Sequence, residues 1–213
     1  QMLALPQPAA EVRHPCEIIS AGEALSTADH RLALLRLLNG AALFNQYGPS
    51  ETHVVTHEPL PSSEAANWAD RPAIGRPIWN ARTYVLSPGL EPVPVGVWGQ
   101  LFIGGMAPSR GYHARPDATA EKFLPDPFGT MPGARMYATG DTVRWLADGR
   151  IEFRGREDDQ VKVNGIRVEL GEIESQLLAL EGVQEAAVIA RETPTGKQLV
   201  GYVVAKHPSP PGR

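Results

Sequence analysis

Cysteine, basic charge and long apolar runs are all scarce in this sequence. Cys16 is the only cysteine among 213 residues, so neither an internal disulfide nor a cysteine-based zinc site can form. Lysine and arginine number 20 against 24 acidic residues, which argues against binding to nucleic acid or to an anionic membrane surface. No apolar run approaches the roughly 20 residues of a membrane span, and no signal peptide opens the chain. We therefore expect a cytoplasmic protein with no nucleic acid and no membrane partner.

Glycine and proline, by contrast, are abundant. The chain has 21 glycines and 20 prolines, together roughly a fifth of its residues against an average near 12%. Because this excess has no repeat period, it predicts many turns and irregular connections. Hydrophobic residues make up 42% of the 213 residues, enough for a real core in one large domain or one domain with a small partner.

Hydrophobic patterns predict a mixed chain with a boundary at the charged stretch 154–159. Before it, the predicted elements are strands over 17–19, 82–86, 100–103 and 151–154, a helix near 118–123 and a loop-like segment over 58–72. After it, they are a β-hairpin over 160–168 with an Asn-Gly turn, a helix over 170–180, and strands over 183–190 and 198–205 joined by a turn at 193–197. The second part is therefore a small α+β unit.

The segment 45–52 concentrates an aromatic residue, a Gly-Pro break and a carboxylate. Tyr47 can stack on a purine face, since aromatic rings stack on bases. Glu51 offers the oxygen ligand that Mg²⁺ prefers beside phosphates. The alternative is a surface turn with a buried tyrosine.

Two further segments carry charged residues suited to a nucleotide. Asp141 follows a glycine and can accept hydrogen bonds from the vicinal hydroxyls of a ribose, or it can simply cap a turn. Arg156 can contact a ribose or a phosphate, and Asp158 can lie at a hinge. The alternative for this second segment is a solvated run of charges.

Two glycine-containing loops lack the features of phosphate loops. The loop over 104–112 follows a strand but has neither the lysine nor the helix start of a P-loop, so we interpret it as structural. The segment 193–197 lies between two predicted strands with no helix after it, so it is a hairpin turn.

The order and spacing of four motifs closely resemble the adenylation domains of nonribosomal peptide synthetases, within the adenylate-forming superfamily. The motifs are Asn-x-Tyr-Gly-Pro-Ser-Glu (45–51), Gly-Gln-Leu-Phe-Ile-Gly-Gly…Arg-Gly-Tyr (99–112), Tyr-x-Thr-Gly-Asp (137–141) and Gly-Arg-Glu-Asp-Asp-Gln-Val-Lys-Val-Asn-Gly-Ile-Arg-Val-Glu-Leu-Gly-Glu-Ile-Glu (155–174). The last motif points to the branch that activates amino acids.

The resemblance implies an α/β (α+β) fold in two parts. Residues 1–157 would be the C-terminal part of the large AMP-binding core, and residues 158–213 a small mobile subdomain. The family's phosphate loop and amine-binding aspartate lie upstream of this chain, and its late catalytic lysine lies downstream. We therefore expect a C-terminal fragment, truncated before that lysine, that does not form an adenylate at a useful rate by itself.

The resemblance also implies the chemistry. An amino acid reacts with ATP to give an aminoacyl-adenylate, and the phosphopantetheine thiol of a peptidyl carrier protein then takes the aminoacyl group. The implied cofactors are ATP, Mg²⁺ and the carrier's phosphopantetheine. A condensation domain and an MbtH-like protein are further implied partners.

Site residues follow from the same match. Tyr47 would stack on adenine, Glu51 would hold Mg²⁺, and Asp141 would bind the ribose hydroxyls while Arg156 contacts the nucleotide; Glu51, Asp141 and Arg156 are the catalytic candidates. The other nucleotide-binding candidates are Asn45, Gly48, Thr52 and Phe153. Asp158 would be the hinge, and Lys162 and Gly165 would line the pantetheine path.

Part of an amino-acid pocket is implied as well. The residues expected to face the substrate side chain are Ile19, Ala21, Gln46, Val54 and Val55. This lining is apolar apart from its one glutamine, so it resembles family pockets for proline or a related small apolar amino acid.

Three alternatives remain open from the sequence. The chain can belong to an acyl-CoA or aryl-acid ligase of the same superfamily, which an upstream pocket lacking the amine-binding aspartate would indicate. It can be a non-catalytic fragment that binds a nucleotide or a protein. It can also come from an adenylation domain interrupted by an inserted domain after residue 205.

Overall fold

The computed structural model describes residues 17–28, 42–156, 160–163, 166–193 and 196–206. Described residues up to Arg156 belong to one compact unit, and those from Gln160 onward belong to a second. Several sheets and few helices make the chain a mixed α/β protein, which confirms the predicted fold class. Within the described residues, no helix is long and apolar enough to cross a membrane.

The first sheet of the larger unit has four strands in the order β1-β2-β3-β4. They are β1 (Glu17–Ser20), β2 (Ala42–Tyr47), β3 (Thr56–Pro61) and β4 (Arg76–Pro77). β1 runs parallel to β2, whereas β2–β3 and β3–β4 are antiparallel. One face buries Leu43 and Leu60 against Ala65 and Trp68. This packing fixes β2, whose last residue is Tyr47.

The expectation that 58–72 forms a loop is wrong for its first ten residues. Residues 58–61 belong to β3, and Ser62–Asn67 forms a 3-10 helix. Pro59 and Pro61 weaken the strand signal because proline has no N–H to donate. β4 pairs with β3 at Thr56 and His57, before the prolines, so the ladder to β4 needs no donor from them.

The second sheet of the larger unit has five strands, all paired antiparallel. They are β5 (Ala81–Leu86), β6 (Gly99–Gly105), β7 (Phe123–Pro125), β8 (Arg135–Trp145) and β9 (Ile151–Arg156). Helix α1 (Pro116–Lys122) precedes β7, close to its predicted place. The long strand β8 lies against β6, β7 and β9, and it carries Asp141.

One hydrophobic cluster holds the two sheets of this unit together. It consists of the buried residues Val55, Ile74, Val85, Leu101, Ile103, Val143 and Ile151. Backbone bonds reinforce it, since Ile74 N donates to Ile151 O at 2.9 Å and Ile151 N donates to Gly75 O at 2.8 Å. Each buried aliphatic side chain contributes about 1.5–3 kcal/mol. The cluster thereby sets the end of β2 beside the β8–β9 hairpin.

An ion pair also links β3 to the β8–β9 turn. Arg150 Nη1 donates to Glu58 Oε1 at 2.7 Å, and Nη2 lies 2.7 Å from Asp148 Oδ2. The side chain of Glu58 is 7% exposed and that of Arg150 is 40% exposed. The partly exposed Arg150 guanidinium therefore compensates the negative charge of the buried Glu58 carboxylate.

Arg150→Met is expected to lower the free energy of unfolding by about 2 kcal/mol, because it leaves the Glu58 carboxylate buried without this partner. The exposure of Arg150 keeps the loss below the full cost of a buried pair. Urea denaturation measures it. Arg144→Met is the control, because the side chains of Arg144 and its partner Glu152 are 34% and 35% exposed. Equal losses in the two variants would contradict the prediction.

The described residues of the smaller unit form two hairpins and one helix. Strand β10 (Gln160–Val163) pairs with β11 (Ile166–Glu169), α2 spans Leu170–Leu178, and β12 (Val183–Thr193) pairs with β13 (Gly196–Ala205). These elements confirm the predicted hairpin strands, helix and strand pair. The second turn is tighter than predicted, because Thr193 already pairs with Gly196. Leu180 lies beyond the helix and is 56% exposed. The Asn-Gly turn at 164–165 lies outside the described residues.

Candidate functional site

The fold brings Tyr47, Asp141 and Arg156 into one hydrogen-bonded cluster. The Tyr47 hydroxyl donates to Asp141 Oδ2 across 94 residues of sequence. Arg156 Nη1 donates to Asp141 Oδ1 at 3.0 Å, and its Nη2 donates to Thr139 O at 2.9 Å. The side chains of Arg156 and Asp141 are 17% and 6% exposed. A carboxylate between a phenol and a guanidinium is thus held rigidly in a largely buried position.

A β-bulge in β8 places Asp141. Gln100 and Phe102 of β6 pair with Thr142 and Ala138 of β8. Between these two pairs the chain advances by two residues in β6 and by four in β8, so β8 bulges here. Gly140 has a φ of +79°, a conformation that favours glycine. Thr139 closes the bulge, because its Oγ1 donates to Leu101 O at 2.8 Å and accepts from Asp141 N at 3.0 Å. Bulges of this kind redirect a side chain beside a functional site.

Cross-strand pairing places Arg156. It lies directly opposite Asp141 in the β8–β9 ladder, so the two side chains are nearest neighbours on one face. Asp141 is therefore not the cap of a turn, and the segment around Arg156 is not a fully solvated run of charges. Asp158, the predicted hinge in the same segment as Arg156, lies outside the described residues.

Electrostatics keep the Tyr47 hydroxyl protonated. Burial raises the pKa of Tyr47 well above its usual value, and the charge and hydrogen bond of Asp141 raise it further. The Tyr47 hydroxyl therefore remains a donor at every pH at which the protein works. Arg156 supplies the positive charge that compensates the buried carboxylate.

The Tyr47 ring packs inward. Its centroid is 6.2 Å from that of Phe153, with the planes tilted by 38°, and both rings rest against the core cluster that joins the sheets. The hydroxyl side is the part that reaches Asp141. Stacking of this ring on adenine, and the assignment of Phe153 to the nucleotide, stay predictions.

Asn45, Gly48 and Thr52 shape the turn that carries Tyr47. Asn45 is 3% exposed and its Nδ2 donates to Ala73 O at 2.9 Å. A Cβ on Gly48 would lie 1.8 Å from His53 O, so the chain passes itself there too closely for any side chain. Thr52 N donates to Pro49 O at 3.1 Å. These contacts are internal, and a direct role in nucleotide binding stays a prediction.

Glu51 is held on both its backbone and its side chain. It is 7% exposed, its Oε1 accepts from the Tyr112 hydroxyl at 2.7 Å, and its carbonyl oxygen accepts from Ser109 N at 2.8 Å. No group of three or more His, Cys, Asp or Glu side chains that could hold a metal occurs in the part of the chain that the structure describes. One carboxylate fits a Mg²⁺ whose other ligands are phosphate and water, as Mg²⁺ commonly binds in nucleotide sites.

The predicted substrate-side residues are placed differently from one another. Ile19 lies opposite Phe44 in the β1–β2 ladder, and Gln46 shares that face two residues further along β2. Ile19 is 57% exposed, whereas Val55 is fully buried in the core cluster and reaches no surface in this structure. Ala21 is exposed and Val54 half-buried. The assignment of all five residues to a substrate pocket stays a prediction. Val55 is the one among them whose side chain is fully buried in the core.

The predicted pantetheine path is described in part. Lys162 lies in β10 opposite Arg167. Gly165 lies outside the described residues. The role of both residues stays a prediction.

Three residues of the site region were not identified from the sequence. Thr139 closes the bulge beneath Asp141, and Tyr112 and Tyr137 lie beside Glu51. Tyr112 belongs to the loop over 104–112, which we interpreted as structural because it is no phosphate loop. A tyrosine 61 residues from its carboxylate partner leaves no local signal in the sequence.

Comparison with known proteins shows which family this chain belongs to. A family model described as AMP-binding enzyme matches residues 2–113, and one described as AMP-binding enzyme C-terminal domain matches residues 172–211. One polypeptide of the linear gramicidin synthase of Brevibacillus parabrevis is 52% identical over 165 residues, which are 77% of this chain and 2% of that polypeptide. Tyrocidine synthase 2 from the same organism is 48% identical over 188 residues, 88% of this chain and 5% of the synthase.

A solved structure resembles the fold. It is that of PA1221, described as a nonribosomal peptide synthetase protein containing adenylation and PCP domains. The TM-score is 0.77 at 28% identity, with 92% of this chain and 39% of that chain covered. The chain thus spans a small part of the synthetases and well under half of this structural relative.

Proposed function

Because this chain belongs to the family of AMP-binding enzymes, we propose that it forms part of an adenylation domain of a nonribosomal peptide synthetase. That domain activates an amino acid with ATP to an aminoacyl-adenylate and passes it to a carrier protein. The Tyr47–Asp141–Arg156 cluster is the observation that carries the proposal, because it builds a rigid acceptor for ribose hydroxyls. About 50% identity to gramicidin and tyrocidine synthases supports the peptide-synthetase branch.

Asp141 binds the ribose in this proposal. Carboxylates bind vicinal ribose hydroxyls in this way in dinucleotide-binding folds. The contacts to Tyr47 and Arg156 orient the carboxylate before the nucleotide arrives, which lowers the entropic cost of binding. Thr139 holds the backbone of Asp141 in the same orientation.

Glu51 would hold Mg²⁺, in company with phosphate oxygens and water. The bound ion would neutralise the negative charge of the phosphates during attack by the amino-acid carboxylate. The task of the chain's own residues is to fix the carboxylate: Ser109 holds its backbone and Tyr112 holds its side chain.

The substrate and partners follow from the same proposal. Ile19 and Gln46 share a face of the first sheet, which supports an apolar amino acid such as proline with one polar contact. A carrier protein bearing phosphopantetheine is the partner that the adenylation–PCP structure supports. A condensation domain, an MbtH-like protein and a cytoplasmic location are further parts of the proposal.

Amino-acid-dependent exchange of pyrophosphate into ATP tests the activity. We expect the product of the complete reading frame to exchange with proline or another small apolar amino acid, and the 213-residue chain alone to show no useful rate. Aryl acids and fatty acids serve as control substrates. Exchange that depends on one of these acids and on no amino acid would refute the proposal and indicate an acyl-CoA or aryl-acid ligase.

A further inference from the structure

Glu51 lies in a cluster with two tyrosines. The Tyr112 hydroxyl donates to Glu51 Oε1 at 2.7 Å. Tyr137 is 1% exposed. Burial raises the pKa of Tyr137, and hydrogen bonding with Tyr112 and the charge of Glu51 raise it further. The Glu51 carboxylate therefore lies beside two tyrosines, and the hydroxyl of Tyr112 donates to it.

Aromatic packing holds Tyr112 in place. Its ring meets that of Phe123 edge to face at 5.6 Å, and Phe123 in turn packs on Tyr137 at 5.1 Å. Phe123 and Tyr137 are also direct partners in the β7–β8 ladder. Such aromatic pairs are favourable beyond the area that they bury. The hydroxyl of Tyr112 thus approaches Glu51 from a ring whose position is set by the sheet.

The backbone of Tyr112 is anchored independently of Glu51. Tyr112 N donates to Thr119 Oγ1 at 2.9 Å, and Thr119 belongs to α1. Gly111, with a φ of +134°, lets the chain pass Thr119, whose Cγ2 would lie 2.4 Å from a Cβ at this position. The ring and main chain of Tyr112 are therefore fixed by contacts that remain when its hydroxyl is removed.

Tyr112 lies near two arginines. It lines a cavity of about 630 Å³ together with Arg110, His113 and Arg135. The Arg135 guanidinium is held there by Arg110 O at 3.0 Å and by Ser109 O at 3.1 Å. The two arginines favour anionic groups such as phosphates at this cavity.

We propose that Tyr112 is the positioning residue for the Glu51 carboxylate, holding it in the orientation that receives the divalent cation of the ATP complex. This inference rests on the proposed function and names a residue that the family comparison does not assign. Hydrogen bonds to a ligating carboxylate orient it, and their loss typically costs 10- to 100-fold in metal affinity.

Tyr112→Phe tests the proposal, because it removes the hydroxyl and keeps the ring on Phe123. We expect the apparent affinity for Mg²⁺ at fixed ATP to fall about 10-fold. Binding of AMP without metal is expected to stay unchanged. Equilibrium binding of the two nucleotides by the product of the complete reading frame, with Mg²⁺ titrated in the ATP series, measures both.

Tyr84→Phe is the matched control. Tyr84 also donates to a buried carboxylate, with its hydroxyl 3.0 Å from Asp126 Oδ2, and Asp126 is not a site residue. Its loss is expected to leave the Mg²⁺ dependence unchanged. In a Glu51→Gln background, Tyr112→Phe is expected to have no further effect, because the two residues act as one unit.

The possible results separate the positioning role of Tyr112 from the proposed function. An unchanged Mg²⁺ dependence in Tyr112→Phe, or an equal loss in Tyr84→Phe, would overturn the positioning role and leave the proposed function standing. A Tyr112→Phe chain that fails to fold would assign the hydroxyl to stability and also overturn it. If the unaltered product of the complete reading frame binds neither AMP nor ATP, the proposed function itself fails, and the inference fails with it.

Discussion

Asp141→Asn is expected to weaken the binding of AMP by about 100-fold, a change of about 2.7 kcal/mol. Asp141 accepts from both Tyr47 and Arg156, and an asparagine amide offers one acceptor atom where the carboxylate offers two. The substitution also removes the counter-charge of the Arg156 guanidinium, which is 17% exposed. Removing one partner of such a pair disturbs the other as well.

Calorimetric titration of the product of the complete reading frame with AMP measures this effect. Asp126→Asn is the matched control, because Asp126 is 8% exposed and also accepts from a tyrosine hydroxyl. A second control uses the ligand: 2′,3′-dideoxy-AMP lacks the ribose hydroxyls, so we expect it to bind the unaltered chain and Asp141→Asn equally weakly. If Asp126→Asn loses as much affinity for AMP as Asp141→Asn, the ribose contact is refuted.

Gly48→Ala is expected to lower the free energy of unfolding by about 3 kcal/mol. The new Cβ would lie 1.8 Å from His53 O and 2.7 Å from Val54 Cα, which are backbone atoms that no side-chain rotation can move away. The turn must open, and Val55 N then loses its bond to Tyr47 O, which is 2.8 Å long. Overpacking of this kind typically costs about 1–3 kcal/mol, and backbone clashes fall at the upper end.

Thermal or urea unfolding of the two variants Gly48→Ala and Gly89→Ala tests this prediction. Gly89 lies in an exposed turn of the same unit, where a Cβ would meet one side-chain atom at an ordinary 3.7 Å. Its replacement is expected to change stability by less than about 1 kcal/mol. A Gly48→Ala chain as stable as Gly89→Ala would show that the turn can relax at little cost.

Local patterns predicted the elements that depend on local interactions. The hairpin strands β10 and β11 and the helix α2 follow from apolar spacing over short segments. β3 and β8 were not predicted, and each depends on partners far along the chain. Pro59 and Pro61 weaken the sequence signal for β3. The bulge around Gly140 interrupts the alternation of inward and outward side chains along β8. A strand with such breaks is stable because neighbouring strands pair with it.

Some residues of the site could be identified from the sequence and others could not. Tyr47, Glu51, Asp141 and Arg156 were identified as candidates from the sequence, because each lies in a motif of the series whose order and spacing resemble those of adenylation domains. Their partners were not identified. Thr139 is fixed by its bond to Leu101, 38 residues away, and Tyr112 bonds to Glu51 across 61 residues. Val55 was expected to face a substrate, yet it is fully buried in the core cluster.

The sequence by itself determined the family resemblance, the mixed α/β class and which side chains are candidates for the chemistry, because motifs and periodicity are local properties of the chain. Only the tertiary structure decided what those side chains contact: Tyr47 and Arg156 on Asp141, and Tyr112 on Glu51. These contacts form between strands and loops that the hydrophobic core brings together. Hydrogen bonds are short-ranged and directional, so their partners are set by the final packing and not by proximity along the chain.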